Sequence, residues 1–112
     1  MTAIGEVEGR NIIIVDDMID TAGTIAKAAD MLMEKGALSV RALATRPVFS
    51  GLAYGKIAKS ALTEVVVSDT IPLRPGPDQD ISKIRVLSVA DIFADIINKV
   101  YNYQPISPSF IF

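Results

Sequence analysis

The sequence predicts an α/β domain built in three layers, a mainly parallel sheet flanked by helices. Two observations carry that expectation. Short stretches with strand character recur at 11–15, 39–44, 64–69 and 84–87, and segments with helical spacing lie between or after them. Such alternation calls for right-handed βαβ crossovers, which give parallel strands with helices on the sheet faces. Length agrees, since 112 residues of which 50% are apolar suit one domain with its own core and no disulfide or metal staple.

Taken in order, Asn11-Ile12-Ile13-Ile14-Val15 is a continuous apolar run between Gly9 and Asp16-Asp17, as expected of a strand buried on both faces. From Thr21 the period changes. Ile25, Ala28, Ala29 and Leu32 recur at helical spacing and Gly36 supplies the stop. Ser39 to Ala44 reads as the second strand, and Ser50, a suitable N-cap, opens a short helix to about Lys59. Glu64 to Asp69 is the third strand. Ile71 to Lys83, with three prolines, forms a long exposed loop. Ile84-Arg85-Val86-Leu87 is the fourth strand, and Ser88 to Asp91 has capping-box spacing before a last helix. Val89, Ile92, Phe93, Ile96, Ile97 and Val100 form one apolar face of that helix, predicted to pack on the sheet. The domain is expected over 1–103, with an aperiodic tail over 104–112.

Composition narrows the chemistry. Neither cysteine nor histidine occurs, which excludes thiol nucleophiles, imidazole bases and zinc sites of the Cys/His kind. Oxygen-ligated Mg2+ remains open. Eleven Lys and Arg stand against thirteen Asp and Glu, so no broad basic surface awaits nucleic acid or anionic lipid. Residues 1–6 lack the basic start and apolar run of a secretory signal, and no apolar stretch reaches membrane-spanning length. A cytoplasmic protein that binds neither nucleic acid nor membrane is expected.

Open α/β sheets bind ligands beyond the carboxyl ends of their strands. That rule points at Asp16-Asp17-Met18-Ile19-Asp20-Thr21-Ala22-Gly23-Thr24, which joins the first strand to the first helix. Three carboxylates, two threonine hydroxyls and a glycine meet at a helix start, where free N–H groups attract phosphate. Carboxylates and phosphate are compatible if the acids face sugar hydroxyls or a bridging divalent cation, a demand that a sugar phosphate meets. The alternative is a solvated turn in which Asp20 or Thr21 merely caps the helix.

Ile12 through Thr24 resembles the phosphoribosyl diphosphate binding loop of type I phosphoribosyltransferase folds, which are Rossmann-like. The chain is especially similar to the ribose-phosphate diphosphokinases, through Lys35-Gly36-Ala37, Ala44 to Gly51, Ser60-Ala61-Leu62, Asp69 to Pro72 and Leu87 to Ala90. That family transfers diphosphate from ATP to ribose 5-phosphate, making 5-phosphoribosyl 1-diphosphate for nucleotide biosynthesis, with Mg2+ as cofactor. The resemblance implies that Asp16 and Asp17 accept hydrogen bonds from the ribose 2- and 3-hydroxyls. It further implies that Asp20, Thr21, Ala22, Gly23 and Thr24 wrap the 5-phosphate. At Gly23 a side chain would obstruct backbone approach to the phosphate.

The resemblance also implies an incomplete protein, the C-terminal part of a tandem of two such domains. Catalytic and ATP-binding residues would lie elsewhere, the 112-residue chain alone would be inactive, and the whole enzyme would be a homo-oligomer. The family usually has His where this chain has Arg46 and often Pro where it has Leu52. Ser107 and Ser109 correspond loosely to serines that the family links to regulatory phosphate or ADP, and otherwise read as a partly packed terminus. The cations Lys27, Lys35, Arg41, Arg74 and Lys83 are scattered, so no Lys/Arg cluster is expected beside the acidic loop.

Three other functions compete with this one. A nucleobase phosphoribosyltransferase would share the loop but not the later segments. An inactive regulatory relative would be expected to have damaged acids in the loop, and here all three stand. A receiver-type signalling domain would use Asp16-Asp17 for Mg2+ and Asp69 as phosphoacceptor, but it needs a late-strand lysine that is missing between Ser88 and Lys99.

Overall fold

The computed structural model describes residues 5–106. Seven elements alternate along the chain: β1 (Asn11–Ile19), α1 (Gly23–Glu34), β2 (Ser39–Pro47), α2 (Ala53–Lys59), β3 (Glu64–Ser68), β4 (Ile84–Leu87) and α3 (Ala90–Tyr101). The four strands form one parallel sheet in the order β1-β2-β3-β4. Asn11 aligns with Ser39, Arg41 with Glu64 and Val65 with Ile84, which sets the register across the sheet. The α/β class and the parallel sheet are those that the sequence predicts.

One core joins the sheet to two helices. Val40, Ala42 and Ala44 of β2, Val65 and Val67 of β3 and Ile84 of β4 alternate onto the covered face, as the two-residue period of a strand requires. Against them pack Ile25, Ala29 and Leu32 of α1 and Ala53, Tyr54 and Ile57 of α2. The alanines let helix and sheet approach closely. Where α1 ends, Gly36 takes a positive φ of 95°, and its successor Ala37 donates from its N–H to Leu32 O at 3.1 Å. With the Gly36 N–H donating to Met33 O at 3.1 Å, that closure engages the last carbonyls of the helix.

The layers differ from expectation. The strands follow one another in a single direction, so each right-handed crossover falls on the same face, and α1 and α2 share it. On the other face Ile13, Val15 and Leu87 remain exposed among the described residues, around Glu64, which pairs with Arg41 and Arg85 at 3.6 Å each. Hence β1, an edge strand, is not buried on both faces.

The last helix departs further, since α3 buries no residue and its predicted core stripe, with Phe93 at 54% and Ile97 at 68%, is exposed. A helix is brought back over a sheet by the strand that follows it. No strand follows α3 among the described residues. Its start differs in part: Ser88 Oγ accepts from the Ala90 N–H at 3.1 Å, but Asp91 does not complete the expected capping box, and Asp69 accepts a further hydrogen bond from the Val89 N–H at 2.9 Å. The Val89 N–H, and then the Ser88 hydroxyl, hold the Asp69 carboxyl below its ordinary range. No described helix is long and apolar enough to cross a membrane.

Candidate functional site

Strand β1 does not end at Val15 but runs on through Asp16, Asp17 and Met18 to Ile19, because β2 is equally long and pairs with it as far as Pro47. The two aspartates therefore stand on a strand rather than in a loop, and they have different neighbours. Asp16 borders a concave space of about 220 Å³ together with Asp20, Thr21, Ala22, Gly23 and Thr24. Asp17 does not line it. Its carboxylate pairs with the Arg46 guanidinium at 3.1 Å, and its own N–H donates to Asp16 Oδ1 at 2.8 Å. The neighbouring Asp16 carboxyl, and after it Arg46, hold Asp17 below the usual carboxylate range.

Beyond β1 the chain turns through Asp20 to Ala22 into α1, strapped from behind by the segment after β2. Phe49 N–H donates to Ile19 O at 3.1 Å and Ser50 N–H to Asp20 O at 2.9 Å, while the Ser50 hydroxyl donates to the Asp20 carboxylate. Ser50 is therefore engaged with Asp20 instead of capping α2, which starts three residues later. Two residues here, Ala22 at φ 66° and Phe49 at φ 47°, are left-handed without being glycine, a conformation that costs about 1–2 kcal/mol per residue. Both are buried, and the ring of Phe49 meets Tyr54 edge-on at 5.2 Å between centroids. Gly23, which the sequence singles out, is not the residue in that conformation.

Neither Asp20 nor Thr21 caps α1. The N-cap position belongs to Ala22, without a side-chain capping bond and without an acid in the first turn. The first intrahelical hydrogen bond runs from Ala26 N–H to Ala22 O at 3.0 Å, so the N–H groups of Gly23, Thr24 and Ile25 precede the ladder. These donors, together with the helix dipole, favour an anion in the space that Thr21 and Thr24 border.

Two cations also reach this end of the sheet, where the sequence predicts no Lys/Arg cluster. Arg46 arrives because β2 extends past Ala44, and Lys56 because α2 lies beside α1. Lys56 Nζ stands 3.6 Å from the point where a Cβ on Gly23 would be, and Thr21 Oγ1 stands 4.0 Å from it. Sequence reasoning missed Lys56, which lies 33 positions from Gly23, and only its place in the last turn of the second helix could have hinted at it. No three carboxylates converge to hold a metal among the described residues. These side chains form no cage of their own for Mg2+, which ordinarily binds through one or two carboxylates plus substrate phosphates. Ser107 and Ser109 lie outside the described residues.

The fold and the uncapped helix start define a parallel α/β domain with an anion-receptive site at the carboxyl end of its first strand. A family model described as the phosphoribosyl synthetase-associated domain matches residues 1–112, and the chain belongs to that family. It is 56% identical over 111 residues to a ribose-phosphate pyrophosphokinase of Wolinella succinogenes, covering 99% of this chain and 35% of that protein. With the same-named protein of Helicobacter hepaticus it shares 52% identity, over 98% of this chain and 34% of the relative. Among solved structures, phosphoribosylpyrophosphate synthetase from Mycobacterium smegmatis superposes with a TM-score of 0.82 at 39% identity, covering 90% of this chain and 33% of that one. The chain thus spans about a third of the length of these relatives. The matches do not confirm the C-terminal placement that the resemblance implied.

Proposed function

We propose that this chain is the ribose 5-phosphate-binding part of a ribose-phosphate diphosphokinase, the enzyme that moves the diphosphoryl group of ATP to the 1-hydroxyl of ribose 5-phosphate. The observation that carries the proposal is the uncapped start of α1, whose N–H donors meet Asp16, Asp20, Thr21 and Thr24 around one concave space. The relatives, named for this activity and matched over about a third of their own length, support it.

In this reading the Gly23, Thr24 and Ile25 N–H groups and the Thr21 and Thr24 hydroxyls donate to the 5-phosphate. Asp16, on the strand side of the same space, accepts from a ribose hydroxyl. Asp20 is held by Ser50, which keeps the turn in the shape that presents the donors. Asp17, paired with Arg46, positions that guanidinium, or accepts from ribose only after parting from it. ATP, Mg2+ as the ion that neutralises its phosphates, assembly into a homo-oligomer and a cytoplasmic setting belong to the proposal for the whole protein. No step assigned to this chain runs through the metal. The C-terminal placement rests on the sequence resemblance alone, and sequencing the coding region on either side of these residues tests it.

Titration of the 112-residue chain with ribose 5-phosphate, followed by amide NMR, tests the binding reading. The expected result is saturable shifts at Gly23, Thr24 and Ile25. Shifts confined to other regions, or none, would overturn it.

A further inference from the structure

We infer that Lys56 of α2 is a phosphate-binding residue of this site, closing over the N-terminus of α1 from the neighbouring helix and setting the preference for a phosphorylated over a free sugar. The inference rests on the ribose 5-phosphate reading and adds to it a residue that the acidic loop does not contain. Its ammonium lies 3.6 Å, and Thr21 Oγ1 4.0 Å, from the vacant Cβ position of Gly23. Three kinds of donor therefore converge on that position: a cation, a hydroxyl and the helix N–H groups.

The charge of Lys56 is not consumed by the protein. Asp17 is paired with Arg46 and Asp20 with Ser50, and among the described residues no carboxylate lies within ion-pair distance of Lys56. An unpaired lysine is usually one that points into solvent, and a cation in the last turn of α2 complements that helix's dipole wherever it points. Lys56 is exposed as well, yet its ammonium lies within van der Waals reach of the Cβ position of Gly23 at the start of α1. Its backbone is fixed, because Ala53, Tyr54 and Ile57 on either side are buried in the core. Glycine at position 23 also acquires a reason. An alanine methyl would stand in van der Waals contact with the ammonium and fill the gap between it and the backbone donors, where a phosphate oxygen would sit.

The test measures dissociation constants of ribose 5-phosphate, inorganic phosphate and ribose for the 112-residue chain and for Lys56→Met, Lys56→Arg and Lys59→Met. Lys59 shares the last turn of α2 and controls for general loss of charge. A charge-assisted hydrogen bond of about 1.5–3 kcal/mol corresponds to a loss of about tenfold or more. Lys56→Met is expected to weaken both phosphate-bearing ligands by that factor and to leave ribose unchanged. Lys56→Arg is expected to retain most of the affinity and Lys59→Met all of it. Tight binding by the unsubstituted chain with less than about twofold loss in Lys56→Met would overturn the role of Lys56 and leave the site reading standing. An equal loss in Lys59→Met would reduce it to long-range charge and overturn it as well. Failure of the unsubstituted chain to bind either phosphate ligand would overturn the site reading, and the inference with it.

Discussion

Two adjacent aspartates at the end of β1 have different surroundings because neighbours in a strand point to opposite sides. Asp16 borders the concave space by α1, whereas Asp17 reaches Arg46 at 3.1 Å. In Arg46→Gln the Asp17 carboxyl should titrate at higher pH than in the unsubstituted chain, since one of the groups holding it low is removed. Carboxyl-carbon NMR reads this directly, and an unchanged titration would mean that the pair is not formed in solution. The sign for stability follows. A carboxylate whose folded value is depressed adds stability above its unfolded value and loses it as pH falls through the folded one, so the contribution disappears only on the acid side of the ordinary range. Both groups are largely exposed, and such pairs contribute little to overall stability.

At the scale of elements, what the sequence shows well is what depends on neighbours along the chain. The apolar run of β1, the helical spacing of Ile25, Ala29 and Leu32, and the break at Gly36 all lie within a turn or two of what they determine, and each is found in place. The segment Asp16 to Thr24 stands out for the same reason, being nine consecutive residues, although its first four belong to β1 and not to a loop. Arg46 and Lys56 do not, because their proximity to it depends on how far β2 extends and on which face α2 settles. Periodicity also misplaced α3: an apolar stripe states which side of a helix avoids water, not whether a partner is present. The two helices should therefore respond oppositely to substitution. Ile57, 1% exposed in α2, should cost about 2–5 kcal/mol when changed to Ala. Phe93 in α3, 54% exposed, should cost no more than about 0.5 kcal/mol when changed to Ser. Urea unfolding of the two variants measures both, and a large loss at Phe93 would show that α3 is packed in solution.

For the molecule as a whole, the distribution of charge decides how much of the proposed reaction the chain can perform. Moving a diphosphoryl group is mostly a matter of holding the nucleotide and neutralising charge while it moves, which demands several cationic groups and Mg2+ around the ATP phosphates. Near the α1 site the described residues offer two cations. Arg46 is already paired with Asp17 and Lys56 faces the N-terminus of α1, where the 5-phosphate rather than the nucleotide is proposed to sit. Arg41 and Arg85 are paired with Glu64 on the open face, and the Lys83 ammonium donates to Ser60 O at 2.7 Å. No carboxylate triad gathers a metal among these residues, and the relatives named for the reaction are about three times as long. The 112-residue chain is accordingly expected to bind ribose 5-phosphate without converting it. Incubated with ATP, Mg2+ and ribose 5-phosphate and free of any longer enzyme, it should release AMP at the rate of the protein-free control. Release above that rate, abolished by Lys56→Met, would show that one free cation at the start of α1 suffices for the transfer and that the remaining two thirds of the relatives' length serves another purpose.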